Sequence, residues 1–304
     1  MKRVLVTGGA GFIGSHTVDF FLEQGIEVVV LDNLVSGKID HLKASSRLIF
    51  IQADVRDTAA LQKALLGCEA VLHLAALPSV TQSLAYPLQS LDINTGGLLH
   101  VLEAIRESRR TIRLVYASSA AVYGAHTPLP CDDAIPLSIC PLSPYALEKI
   151  TNEYYAALYA RLYGIKSIGL RYFNAYGARQ DPSSPYSGVI SKLVTQYQRN
   201  DSLTVFGDGL QSRDFIHVSD VARANWNAIH SDYCGVLNIA TGVPETLLQL
   251  IHYIETAGGR PAQIQYEPSR LGDITKSFAA THQAEKCLGY RSIVSLMDGI
   301  GFFF

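Results

Sequence analysis

The stretch that most constrains this chain is its first: Val4-Leu5-Val6, then Thr7-Gly-Gly-Ala-Gly-Phe-Ile-Gly14. A short β-branched run reads as a parallel strand buried on both faces. Glycines at 8, 11 and 14 follow, and then an amphipathic segment carrying Val18, Phe21 and Leu22. In a strand–turn–helix of this kind Gly8 makes the tight turn. Gly11 lets a phosphate reach the backbone at Phe12 and Ile13, and Gly14 lets helix pack on strand. An acid closing the next strand completes the pattern, and Asp32 stands there, after Glu27-Val-Val-Val-Leu31. Asp32 is placed to accept from ribose hydroxyls and to repel a 2′-phosphate. No arginine follows it directly, so NAD is expected rather than NADP. Taken alone, Asp32-Asn33 is also an ordinary turn pair.

The following segments repeat the alternation of strand and helix. Leu48 to Ala53 reads as a third strand ending in Asp54-Val55, where a carboxylate can accept from an adenine amino group. Ala70 to Leu74 reads as a fourth, and Ala75-Ala76 beyond it are small enough for close approach of a cofactor. His73 inside that strand reads as a packed core histidine. Asn94 begins a helix carrying Leu98, Leu99, Leu102 and Ile105, as a cap or as a cofactor ligand. Ile112 to Ala117 and Lys166 to Tyr172 are the fifth and sixth strands. This order predicts an α/β fold, a Rossmann-like doubly wound parallel sheet. Ligands in such sheets bind beyond the carboxyl ends of the strands. Ser118 and Ser119, at the end of the fifth, are candidates to hydrogen-bond a reacting hydroxyl.

Tyr145 and Lys149 are four residues apart in Ser143-Pro-Tyr-Ala-Leu-Glu-Lys149. With Pro144 in the first turn of a helix, the two side chains share a face. A tyrosine near its ordinary pKa of ~10 is a poor base at neutral pH, and a neighbouring ammonium lowers that value. The pair can then take a proton from a sugar or alcohol hydroxyl. The same spacing also occurs as plain helix decoration.

After Tyr172-Phe-Asn174 the composition changes and a smaller region begins. Segments 1–174 and 211–240 are expected to form the dinucleotide-binding domain, and 175–210 and 241–304 a smaller α/β domain. Val189 to Tyr197 reads as a helix, Leu203 to Phe206 as a strand, and Ser219 as the cap of a helix carrying Val221, Ala222, Ala224 and Trp226. Val236 to Ile239 is expected to rejoin the sheet. Leu247 to Ile254 and Thr281 to Leu288 read as helices. Arg213 and Arg270 come from separate loops, and two converging guanidinium groups suit a diphosphate. The tail Gly299-Ile-Gly-Phe-Phe-Phe304 carries no sequence signal that explains it.

Composition removes other classes. Hydrophobic residues are 48% and charged residues 17% of 304, which excludes a disordered chain. The net charge of −2 gives no field for nucleic acid or acidic membrane, and no partner of either kind is expected. No apolar run approaches the ~18 residues of a membrane span. Five cysteines without a Cys-x-x-Cys argue for free thiols and a cytoplasmic setting. Nine histidines show no metal spacing, so no metal site is expected.

The glycine stretch, Ser-Ser-Ala-Ala-Val-Tyr-Gly124, Tyr145-x-x-x-Lys149, Arg171-Tyr-Phe-Asn174 and Arg213-Asp-Phe-Ile-His-Val218 together resemble the extended short-chain dehydrogenase/reductases, and among them the NAD-dependent UDP-hexose 4-epimerases. The resemblance runs from about Lys2 to Asp298. It implies that Tyr145 takes the sugar 4-hydroxyl proton, Lys149 binds the nicotinamide ribose and lowers the tyrosine pKa, and Ser119 holds the reacting oxygen. It implies a redox-neutral exchange of hydride at C4 with a resident NAD, on UDP-GlcNAc/UDP-GalNAc or UDP-Glc/UDP-Gal. Tyr172 falls on a cofactor position. Asn174, Val189, Thr204, Phe206, Arg213, Arg270 and Asp273 fall on nucleotide-sugar positions. Ser277 falls where bulk excludes a 2-acetamido group. A homodimer through the helices around Leu99 and Leu158 is implied in the same way. Related 4,6-dehydratases carry an Asp-Glu pair where this chain has Ala120-Ala121, so epimerisation is favoured. Some epimerases carry a lysine just after the fourth strand, where this chain reads Leu77-Pro78-Ser79. A dehydratase or reductase of the same family, and a non-catalytic NAD-binding regulator, are the competing readings.

Overall fold

A computed structural model describes residues 1–125, 127–137, 140–181, 188–269 and 274–304. The large sheet has seven strands: β1 (Arg3–Thr7), β2 (Glu27–Asp32), β3 (Leu48–Gln52), β4 (Ala70–His73), β5 (Arg113–Ser119), β6 (Ser167–Tyr172) and, later in the chain, β10 (Gly235–Ile239). Their order is β10-β6-β5-β4-β1-β2-β3, and every pairing is parallel. The order reverses at β1, whose neighbours are β2 and β4, which opens a crevice at the carboxyl edge.

Burial on both faces explains the apolar runs. Val4, Val6, Val28 and Val30 pack toward α1 (Phe12–Glu23) and α8 (Val218–His230), in a core with Val18, Phe21 and Val221. Leu5, Val29 and Leu31 point the other way, into a core with Leu61 of α2 (Thr58–Leu65), Leu102 and Ile105 of α5 (Gly97–Ser108) and Ala156 of α6 (Pro144–Tyr163). The period of two along each strand therefore fills both layers. Between β4 and α5 run two short helices, α3 (Val80–Ala85) and α4 (Pro87–Leu91), and a π-helical turn, Asp92–Gly96.

The smaller region is built on β7 (Asn174–Tyr176), β9 (Ser212–His217), β11 (Pro244–Thr246) and β13 (Lys276–Ser277), which form one sheet with β9 inside it. A parallel pair, β8 (Leu203–Phe206) and β12 (Ile264–Glu267), lies beside it. Helices α7 (Val189–Gln198), α9 (Leu247–Gly258) and α11 (Leu296–Gly301) close a third core around Tyr176, Leu193, Leu250 and Ile300. Helix α10 (His282–Leu288) lies in segment 241–304, yet Ala284 and the following Tyr290 pack into the core of the large sheet. Helix α10 thus departs from the expected boundary, as does β9, which lies in 211–240 yet forms the inside strand of the smaller sheet.

Two caps differ from expectation. The cap of α8 is His217, whose ring accepts from the Ser219 amide, not Ser219 itself. Asn94 caps nothing; it sits inside the π turn of a continuous helical stretch. The C-terminal tail is docked: Phe302 packs on His217 and Phe304 on Tyr197, with ring centres 5.3 and 5.6 Å apart. Gly299 is required there, because a Cβ would lie 2.0 Å from the Tyr176 hydroxyl.

Candidate active site

The first component is the crevice at the carboxyl edge. Gly8 adopts φ +71°, and a Cβ on it would fall 2.6 Å from the Ala75 nitrogen. A Cβ on Gly14 would meet the Gly8 carbonyl oxygen at 2.1 Å. Only hydrogen fits at either place. Gly11 caps α1 without a side-chain bond, so the first amides of the helix, from Phe12 onward, are left without a capping side chain. Leu74 and Ala75 form the facing wall, their amides donating to the carbonyl and hydroxyl of Thr7 at 3.0 and 3.4 Å; Ala76 follows them. An oriented set of amides at a helix N-terminus, with a wall that excludes side chains, fits the diphosphate of a dinucleotide.

Asp32 ends β2 and is buried, accepting from the Ala10 amide at 3.0 Å and the Leu34 amide at 2.8 Å. Those bonds aim the carboxylate and leave it further lone pairs for ribose hydroxyls. Asp54 departs from expectation. Its oxygens accept from the amide and guanidinium of Arg56 and from the Asn33 side chain, all at 2.8–3.0 Å. The Arg56 contacts hold its carboxyl well below the usual range. With its acceptor sites filled, Asp54 organises the loop and has no capacity left for an adenine amino group. Val55 packs into the core, 2.9 Å from where a Cβ on Gly97 would lie.

The second component is the face of α6. Ser143 caps the helix, accepting from the Ala146 amide, and Pro144 lies in its first turn as expected. Tyr145 is half-buried and Lys149 buried. The ammonium lies 5.6 Å from the centre of the Tyr145 ring and donates to the Ala117 carbonyl at 2.9 Å. Strand β5 extends through Ser119, so the two serines face opposite sides. Ser119 accepts from the Ala121 amide at 3.1 Å, and its hydroxyl holds the Tyr145 phenol down against the effect of burial. Ser118 is buried and donates to Glu153 at 2.6 Å, inside a network with Arg171. The expected contact of the Ser118 side chain with substrate is therefore overturned by strand alternation. The Tyr172 side chain lies in the core and its hydroxyl donates to Asn225 at 2.6 Å, which leaves its backbone, at the end of β6, to face a cofactor.

The electrostatics differ from the sequence expectation in one respect. Burial pushes the Tyr145 phenol up to about 12, with Ser119 pulling the other way. Burial also pulls Lys149 down to about 8, opposed by the charges of Glu148 and Glu153. Loss of hydration is the largest influence on the tyrosine here. His73, buried against Thr7 at 2.8 Å, is held neutral at about 3 by burial and is a core residue as read from the sequence.

The third component lies in the smaller region. Thr204 and Phe206 share one half-buried face of β8, while Leu203 and Val205 face the core. Asn174 is exposed on β7 and donates to the Asp214 carbonyl at 3.1 Å; Val189 opens α7. Arg213 on β9 is half-buried, and its register partners are Ser277 on β13 and Glu245 on β11. Beside it, Asp214 is fully buried and accepts from Thr241, Gly242 and Ala279, which ties the end of β10 to this sheet. Arg270 and Asp273 lie outside the described residues. Among the described residues no cluster of His, Cys, Asp and Glu could hold a metal, and no helix is long and apolar enough to cross a membrane.

Sequence reasoning missed the buried acids Glu148 and Glu153 and the amide of Asn94 as a tertiary clamp. The signal available was an acid on either side of Lys149 on a helix otherwise packed in the core.

The family model of NAD-dependent epimerases and dehydratases matches residues 4–240. A Methanocaldococcus jannaschii protein, named only provisionally as a UDP-glucose 4-epimerase, is 40% identical over 299 residues, covering 98% of this chain and 95% of its own. The UDP-glucose 4-epimerase of Thermotoga maritima, solved with UDP-glucose, superposes with a TM-score of 0.93 at 36% identity, covering 99% of this chain and 97% of its own. The UDP-N-acetylglucosamine 4-epimerase of Methanobrevibacter ruminantium, solved with UDP-N-acetylmuramic acid, does so with a TM-score of 0.93 at 36% identity, covering 99% and 98%.

Proposed function

The chain belongs to the NAD-dependent epimerase/dehydratase family, and we propose that it interconverts the C4 epimers of UDP-hexoses through a transient 4-keto sugar. The observation that carries this reading is the Ser119, Tyr145 and Lys149 set at the carboxyl edge of β5, beside the glycine crevice, with alanines at 120 and 121. Without acids there, elimination of water has no catalyst of its own.

Tyr145 removes the proton from the C4 hydroxyl and later returns it. Ser119, at the end of β5, holds the reacting oxygen. Lys149, as an ammonium, stabilises the phenolate electrostatically, and its bond to Ala117 fixes where that charge sits. NAD held in the crevice would supply the acceptor and donor of the C4 hydride, which leaves the cycle redox-neutral. The crevice residues Gly8 to Gly14, Asp32 and Asn33, the wall at Leu74 to Ala76, and Asn94 through its hold on that loop keep the dinucleotide in place.

Segments 1–174 and 211–240 supply the cofactor side. Segments 175–210 and 241–304, α10 apart, supply Val189, Thr204, Phe206, Arg270 and Asp273 of the UDP-sugar side, and Asn174 and Arg213, from 1–174 and 211–240, join them through β7 and β9. Ser277 is the residue facing the sugar's 2-substituent, and its small size admits UDP-GlcNAc and UDP-GalNAc alongside UDP-Glc and UDP-Gal. The homodimer forms through the helices around Leu99 and Leu158, α5 and α6, and exposed Leu147 and Tyr154 on α6 supply apolar surface for it. Free cysteines fit a cytoplasmic setting.

The test is isotopic. UDP-glucose carrying deuterium at C4 should give UDP-galactose that retains the deuterium at C4. Loss of the label to water, or a 4-keto-6-deoxy product, would rule the reading out.

A further inference from the structure

Glu148 precedes Lys149, is 3% exposed, and has no ion-pair partner within 4 Å among the described residues. One of its oxygens, Oε2, accepts from the Asn94 side chain at 2.6 Å and the Ser90 hydroxyl at 2.8 Å. The other, Oε1, is buried without a partner. A half-satisfied buried carboxylate is costly, so its surroundings must gain something from it.

What they gain is orientation. A side-chain amide could sit either way round. An ionised carboxylate only accepts, so it fixes the Asn94 nitrogen toward itself. The Asn94 oxygen is then left to accept from the Leu77 amide at 2.7 Å, while Nδ2 also donates to the Leu77 carbonyl at 3.2 Å. One side chain thus holds both backbone polar groups of Leu77, three residues beyond the Leu74 that begins the crevice wall. Asn152 of α6 donates to the Asn94 carbonyl at 3.1 Å and fixes the π turn from its other side.

The charges facing Lys149 are few. Glu153 on the same helix is spoken for by Arg171 of β6 at 2.7 Å, and His73 of β4 is neutral. Glu148 is the acid that lacks a guanidinium or ammonium of its own.

Building on the assignment of Tyr145 and Lys149 as the reacting pair, we propose that Glu148 is their positioning residue: through Asn94 it locks the Leu77 loop to α6, and its charge keeps Lys149 an ammonium.

Two variants of the holoenzyme separate these roles. Glu148→Gln keeps the volume and removes the charge. Its turnover should begin to fall about one pH unit lower on the alkaline side than in the parent. At pH 7 it should turn over only about twofold more slowly, the deficit approaching about tenfold near pH 9, above the Lys149 value of about 8, with KM for UDP-glucose within about twofold. Glu148→Asp keeps the charge but withdraws it from Asn94. It should keep the parent's alkaline limb and lose several-fold in NAD retained through gel filtration. A glutamine variant with the parent's alkaline limb, or an aspartate variant that retains NAD like the parent, overturns the proposal. Tyr145→Phe belongs in the same series: if that variant turns over normally, the assignment of the base fails, not the role of Glu148.

Discussion

Ser277 and Arg213 are register partners on two parallel strands, β13 and β9. They are 64 positions apart in the sequence, yet the sheet places them on adjacent strands. In the proposed function one holds the diphosphate and the other limits the sugar's 2-substituent. A single strand pair then fixes the distance between the nucleotide anchor and the sugar, and each residue yields its own prediction.

Arg213→Ala should weaken UDP binding by about 10- to 100-fold, because a hydrogen bond to a charged group is worth roughly 1.5–3 kcal/mol. Calorimetric titration with UDP measures this. Unchanged affinity would make Arg213 a residue of the sheet and not of the site.

Ser277→Tyr should fill the space beside Arg213 and act by exclusion. We expect kcat/KM for UDP-GlcNAc and UDP-GalNAc to fall by at least tenfold, with UDP-Glc and UDP-Gal changed by less than about threefold. Measuring both sugar pairs on both proteins decides it. Equal losses on the two pairs would mean that Ser277 does not face the 2-substituent.

Tyr145→Phe keeps the ring and removes the proton acceptor. Turnover should drop by about 10²–10⁴-fold with NAD still bound, the usual contribution of a general base. The parent enzyme should also lose turnover as pH rises through about 8, where Lys149 gives up its proton. The sign follows from the depressed lysine value: the cation that stabilises the phenolate exists below that pH and not above it. A rate that keeps rising past pH 9 would show that Lys149 acts as something other than a cation.

How much of this was readable in the chain depended on whether a signal was local. The crevice was legible because a β-branched strand, three glycines and a strand-ending acid are each local, and the structure puts them at one edge. The helix of Tyr145 was legible from Pro144 and from its glycine cap, Gly164, which adopts φ +70°. Ser118 was misassigned because whether the strand runs on through Ser119 is decided by its pairing with Arg171 and Tyr172 of β6. Asn94 was read as a possible cap because its true partners, Leu77 and Glu148, are distant in sequence. Strands as short as β13 carry no periodicity at all. Helix α11 hides behind two glycines that disfavour a helix locally and that the packing on Tyr176 requires at 299.

The most direct measurement incubates the purified protein with UDP-sugars and no added cofactor and follows the products by NMR. Equilibration of the C4 epimers, with no net oxidation or reduction, is the predicted result. A dehydrated or net-reduced sugar, or no turnover from protein that carries NAD, would contradict the account.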